Sequence, residues 1–191
     1  MSSSSLSIAS SAPQTSPKSY STVAIAMHWS IALLIFLNVA LGFYMAAQPK
    51  TLPTHDQVLF YHASIGSLIF LLAVFRLIWR ATHKPPALPH TIPTWQRTVA
   101  HILHWTLYVL MLIVPLSGYI HRLAGAHNVS FFGIGNLPVI IGKDEPLRLF
   151  THAAHETLVW VLCILVVGHL GAALKHRFID RDGVLQRMLR I

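Results

Sequence analysis

The sequence predicts an all-α membrane protein built as a bundle of four transmembrane helices. Three observations predict it. First, the chain has 191 residues that are 54% hydrophobic and only 10% charged, with a mean hydropathy of +0.58. Soluble domains carry about 25% charged residues, so a water-facing surface cannot be built at this ratio, and bulk disorder is excluded by the same apolar excess. Second, four apolar runs each approach the ~20 residues that cross a ~30 Å hydrocarbon layer as helix. Third, thirteen histidines stand against six carboxylates, and seven of the histidines fall inside the apolar runs.

In chain order, residues 1–20 are serine-rich, contain Pro13 and Pro17 and show no apolar period, which predicts a disordered tail. They lack the basic start and compact apolar run of a secretory signal, so no cleavage is expected. The four runs cover residues 23–46, 58–80, 98–120 and 150–174. None shows the period-2 alternation of a barrel strand, and a spanning backbone must satisfy its own hydrogen bonds, so helices are expected. Pro115 is expected to kink the third. The connectors carry turn chemistry at residues 48–53 and at Pro85, Pro86, Pro89 and Pro93. The longest, about residues 121–149, mixes glycines with Phe131, Phe132, Ile134 and residues 139–141, as expected of a segment lying on the membrane surface. Asp144-Glu145-Pro146 reads as a helix start, with an acidic cap and proline in the first turn. Helix 4 should then run to about Phe178, break between Asp180 and Gly183, and be followed by a short interfacial turn over residues 184–189. The division expected is therefore a tail (1–20), a four-helix bundle (21–178) and a basic C-terminal segment (179–191).

Ten of the fourteen lysines and arginines fall in the tail, the end of the second run with the 2–3 connector, and the C-terminus, against four in the other two connectors. The positive-inside rule then puts both termini in the cytoplasm of a multi-pass inner-membrane protein. The net charge of +8 is largely topological, which removes the nucleic-acid reading.

Ionisable residues inside a membrane are costly and mark function. The topology puts His28 and His169 near the cytoplasmic ends of helices 1 and 4, and His62 and His155 near the outer ends of helices 2 and 4. His155 and His169 are fourteen residues apart, roughly 21 Å along the axis and within about 40° of one face. Two stacked sites, each with a histidine from a facing helix, match the need of two bis-histidine haems in a bundle core. Without a Cys-x-x-Cys-His sequence the haems would be non-covalent, b-type. A single zinc or copper site needs its ligands in one small sphere, which this separation opposes, and a proton relay usually includes buried carboxylates. Either His101 or His104 could replace His28 as a ligand, though a propionate hydrogen bond or helix packing is the preferred role for His104. Arg76, fourteen residues beyond His62, either pairs with a haem propionate or snorkels to the interface.

The stretches Met27-His28-Trp29, His62-Ala63-Ser64-Ile65-Gly66, Arg76-Leu77-Ile78-Trp79-Arg80 and Ala100-His101-Ile102-Leu103-His104 resemble the prokaryotic cytochrome b561 family. So do Pro115-Leu116-Ser117-Gly118-Tyr119, His155-Glu156-Thr157-Leu158 and the segment from Gly168 to Asp182. The resemblance covers about residues 20–190. It implies two haems b with axial pairs His28–His169 and His62–His155, in keeping with the depth argument. It also implies electron transport between the periplasmic side and the quinone pool, with superoxide as a donor and ubiquinone as the acceptor. The C-terminal segment resembles the subgroup that accompanies a periplasmic lipocalin-like protein. The alternative expectation is therefore a membrane anchor or electron-carrier subunit serving a periplasmic partner.

Overall fold

A computed structural model describes residues 19–87 and 92–189. Most of the expected tail lies outside those residues. Four long helices dominate: α1 (Thr22–Ala47), α2 (Pro53–Thr82), α3 (Thr94–Ala124) and α4 (Glu145–Lys175). Each is long and apolar enough to cross a bilayer. They exceed the apolar runs by one to five residues at most ends because polar caps and wet turns, not the hydrocarbon boundary, stop a helix. At α1 the cap is the Ser21 hydroxyl, which accepts from the Ala24 amide at 3.3 Å. At α4 it is Asp144, whose carboxylate accepts from the Leu147 amide at 2.9 Å, followed by proline in the first turn. Pro115 lies inside α3 without ending it.

The helices pack in chain order, α1 on α2, α2 on α3 and α3 on α4, while α1 and α4 approach one another far less. At mid-height the interior is closed by Leu110, Val114 and Leu162, with Ile35, Leu107, Leu158, Val159, Leu165 and Val166 packed around them. Large apolar side chains such as Phe36, Ile164 and Val167 point outward and stay exposed. Such a continuous apolar exterior suits lipid and would be an aggregation liability in water.

Two ends result. One, the terminus end, carries residues 19–21, the α2–α3 connector and the C-terminal segment. The other, the connector end, carries residues 48–52 and 125–144. The 125–144 connector folds back as a two-residue hairpin, β1 (Ser130–Phe131) against β2 (Gly135–Asn136), turned through positive φ at Phe132 and Gly133. Ser64, fully buried in α2, anchors it: its hydroxyl donates to the Ser130 carbonyl at 3.0 Å and accepts from the Phe132 amide at 3.1 Å. Ile134 at the hairpin tip is 84% exposed, and Val139 and Ile140 are exposed beside it. After α4 a single π turn (His176–Asp180) leads through Arg181 and Gly183, both at positive φ, into a 3-10 turn (Leu185–Met188). That turn docks back: the Trp29 indole donates to the Met188 carbonyl at 2.7 Å, and the Tyr20 amide to the Arg187 carbonyl at 3.3 Å.

Candidate functional site

At the connector end, His62 of α2 and His155 of α4 face each other with ring centres 6.2 Å apart and planes at 84°. The Nδ1 of His62 lies 3.0 Å from the Asn38 carbonyl of α1. A carbonyl only accepts, so Nδ1 carries the proton and Nε2 keeps its lone pair. His155 is held the same way by the Val114 carbonyl of α3 at 2.9 Å, beside the Ser117 hydroxyl at 3.1 Å. Ser117 itself donates to Val114 at 2.7 Å. Two glycines make room for the rings. A Cβ on Gly42 would stand 3.1 Å from Cε1 of His62, and one on Gly118 would stand 3.0 Å from Cε1 of His155. Around the pair opens a cavity of about 1140 Å³ that extends to Lys50, Arg122, Lys143 and Arg148 at the connector surface. The Asn38 side-chain oxygen is buried in the same region without a partner.

At the terminus end, His28 of α1 and His169 of α4 have ring centres 6.2 Å apart and planes at 74°. His104 of α3 also approaches His169, at 5.4 Å. Arg76 reaches between helices: Nε donates to the Tyr108 hydroxyl and Nη1 to the Ala24 carbonyl, both at 3.2 Å, and Nη2 lies 3.4 Å from Nδ1 of His28. Unlike the connector-end pair, none of these three histidines has its Nδ1 bonded to a backbone carbonyl among the described residues.

The histidines read from the sequence as two pairs at two depths are thus brought together as two pairs, both completed by α4. His104 joins the terminus-end pair, whereas His101 is exposed on the outer side of α3. Residues without a role assigned from the sequence complete the surroundings. Asn38, Val114 and Ser117 position ring nitrogens, Gly42 is set by packing alone, and Tyr108 bonds Arg76. His121 and His152, to which the sequence reading gave no role, meet edge-to-face at 4.9 Å on the wall of the connector-end cavity. Their spacing in the sequence carries no hint of that, because they come from α3 and α4.

Comparison with known proteins completes the site. The family model described as prokaryotic cytochrome b561 matches residues 19–190. The chain is similar to "Cytochrome b561 homolog 2" of Escherichia coli (strain K12), 32% identical over 173 residues that cover 91% of this chain and 92% of the relative. It is also similar to "Cytochrome b561 homolog 1" of the same organism, 28% identical over 89% of this chain and 96% of the relative. A third relative, "Probable superoxide oxidase CybB" of Yersinia pestis, is 25% identical over 90% of this chain and 96% of its own length. Four apolar helices with histidine pairs in their interior and a family match over nearly the whole chain agree: the chain belongs to the prokaryotic cytochrome b561 family, membrane proteins that transfer electrons through b-type haem.

Proposed function

We propose that the chain binds two haems b, one at each end of the bundle, and carries electrons between the periplasmic face and quinone in the inner membrane. The observation that carries this reading is that two separate imidazole pairs share one centre-to-centre distance, 6.2 Å. Imidazoles bound at about 2 Å on opposite sides of one metal put their ring centres roughly 6 Å apart, so both pairs fit an iron between them. The 5.4 Å between His104 and His169 is too short for that arrangement, which favours His28 as the partner of His169 and a packing role for His104. Nδ1 protons held by carbonyls at His62 and His155 leave Nε2 as the donor atom. Gly42 and Gly118 keep the rings clear of side chains where a flat macrocycle has to lie against the helices.

When bound, haem supplies one-electron redox chemistry. The chain's part would be to hold it, His28 with His169 for one haem and His62 with His155 for the other. Leu110, Val114 and Leu162 exclude water between the two levels. With the termini cytoplasmic, Lys50, Arg122, Lys143 and Arg148 ring the periplasmic mouth and attract an anion. Superoxide is such a donor, and the name of the Yersinia relative supports it. Two superoxide ions would give up one electron each to become dioxygen, and ubiquinone would take both electrons with two protons. The second reading, an electron-carrier subunit for a periplasmic partner, is favoured by the exposed apolar hairpin tip at Ile134 beside that mouth.

Haem counting on the purified protein tests the proposal. The wild type should hold two haems per chain, and His62→Ala and His28→Ala should each lose a different one. A folded wild-type protein without haem overturns it. Turnover of superoxide with ubiquinone by the isolated chain separates the enzyme from the carrier.

A further inference from the structure

Three guanidinium groups lie at the terminus end without a carboxylate partner among the described residues. Arg76 and Arg80, one helical turn apart on α2, hold their guanidinium carbons 5.9 and 5.5 Å from the centre of a single ring, that of Tyr108. Arg80 also lies over Trp105 at 5.7 Å. Arg187 arrives from the C-terminal turn, donating through Nη1 to the Ala87 carbonyl at 2.7 Å, while its Nε is buried with no partner. Tyr20, whose backbone bonds Arg187, lies within electrostatic reach of all three arginines. The chain has six aspartate and glutamate side chains, and none of them pairs with these groups among the described residues. Asp180 pairs with Lys175 and Asp182 with His176, while Asp56, Asp144, Glu145 and Glu156 belong to the connector half of the bundle.

An arginine does not give up its proton, and like charges brought together away from water repel unless an anion joins them. Neutral acceptors satisfy the hydrogen bonds of Arg76 but leave its charge uncompensated. The unpartnered Nε of Arg187 is a spare donor at the same end of the bundle. We propose that Arg76, Arg80 and Arg187, closed over by Tyr20 and the C-terminal turn, form a binding site for oxyanion groups of the carboxylate or phosphate type. Planar guanidinium forks match the two oxygens of such groups. Two sources lie within the membrane: the propionates of a haem held by His28 and His169, and the phosphate of an anionic lipid headgroup. The propionate source rests on the function proposed above, whereas the oxyanion site does not.

The test uses the purified holoprotein in nanodiscs of neutral phosphatidylcholine, with or without phosphatidylglycerol, as wild type, R80Q and R187Q. R80Q removes no backbone contact, so it still reports if R187Q merely loosens the C-terminal turn. The first arm follows transfer of haem to a scavenging apoprotein. Losing one charge-assisted contact should speed release of one of the two haems by roughly ten- to a hundredfold. The same substitutions should leave release unchanged when the protein carries haem dimethyl ester, which has no carboxylates. The second arm counts phosphatidylglycerol retained by native mass spectrometry. If lipid phosphate is the ligand, the variants retain less of it while haem release is unaltered. Either result supports the site and names its ligand. Equal haem release and equal lipid retention in all three proteins overturn it. A wild type that holds no haem removes the function proposed above, and the lipid arm still decides the site.

Discussion

His62 and His155 meet at 6.2 Å, yet neither is held by the other's helix: α1 fixes the first through the Asn38 carbonyl and α3 fixes the second through Val114. The connector-end pair is therefore a junction of all four helices. Its geometry depends on how closely α1 approaches α2, and α3 approaches α4, at two glycines.

Gly118 is the tighter of the two, since a methyl group there would already stand 3.0 Å from Cε1 and 3.2 Å from Nδ1 of His155. A valine adds two further carbons where the ring has no room to retreat, because Nδ1 is bonded to Val114. Gly118→Val should lower haem content from two per chain toward one while the fold persists, read by pyridine haemochrome assay against protein concentration. Gly118→Ala should keep both haems with a perturbed connector-end spectrum. Full occupancy with unaltered spectra in Gly118→Val would mean that the ring does not need the space.

His104 offers a sharper discrimination at the other end. If His28 and His169 are the ligands, His104→Ala removes only a packing contact at 5.4 Å and both haems stay. His28→Ala should remove one haem outright. The ligand assignment is wrong if the two variants lose the same haem, as separated by their low-temperature absorption bands.

The order of histidines along α4 made much of this legible. Fourteen residues bring His155 and His169 back to nearly one face, and helix geometry needs no tertiary information to say so. The four helices and the Asp144 cap followed from apolar run length and local turn chemistry. The supports did not. Asn38 and Val114 act through backbone carbonyls, which every residue has, so identity gives no signal. Arg187 reaches Ala87 across a hundred residues of sequence, and nothing local in the sequence marks that contact.

The Asp144 cap carries a stability prediction that leaves the redox site untouched. Its carboxylate accepts from the Leu147 amide at the start of α4, where the helix dipole also favours negative charge. Asp144→Ala should cost about 1 kcal/mol, which for a chain of this size lowers Tm by roughly 2–4 °C. Thermal unfolding in detergent, followed by circular dichroism, measures it, with haem content as the control. An unchanged Tm would mean that bilayer-embedded residues alone set the stability of this helix.

The basic mouth at the connector end predicts how the rate responds to salt. Lys50 and Lys143 line it and make no ion pair among the described residues, whereas Arg148 is tied to Glu145 through two hydrogen bonds. Their charges are therefore free to steer an anionic donor, and steering weakens as the Debye length shrinks below about 10 Å above 0.1 M salt. If superoxide enters here, its oxidation by the wild type should slow with rising ionic strength, by up to roughly tenfold. The double variant Lys50→Gln with Lys143→Gln should start slower and respond less to salt, with both haems retained. Stopped-flow reduction of the haem by superoxide pulses reads the two slopes directly. Parallel slopes in wild type and variant would move the entry point elsewhere, because a steering charge cannot be removed without flattening the dependence it creates.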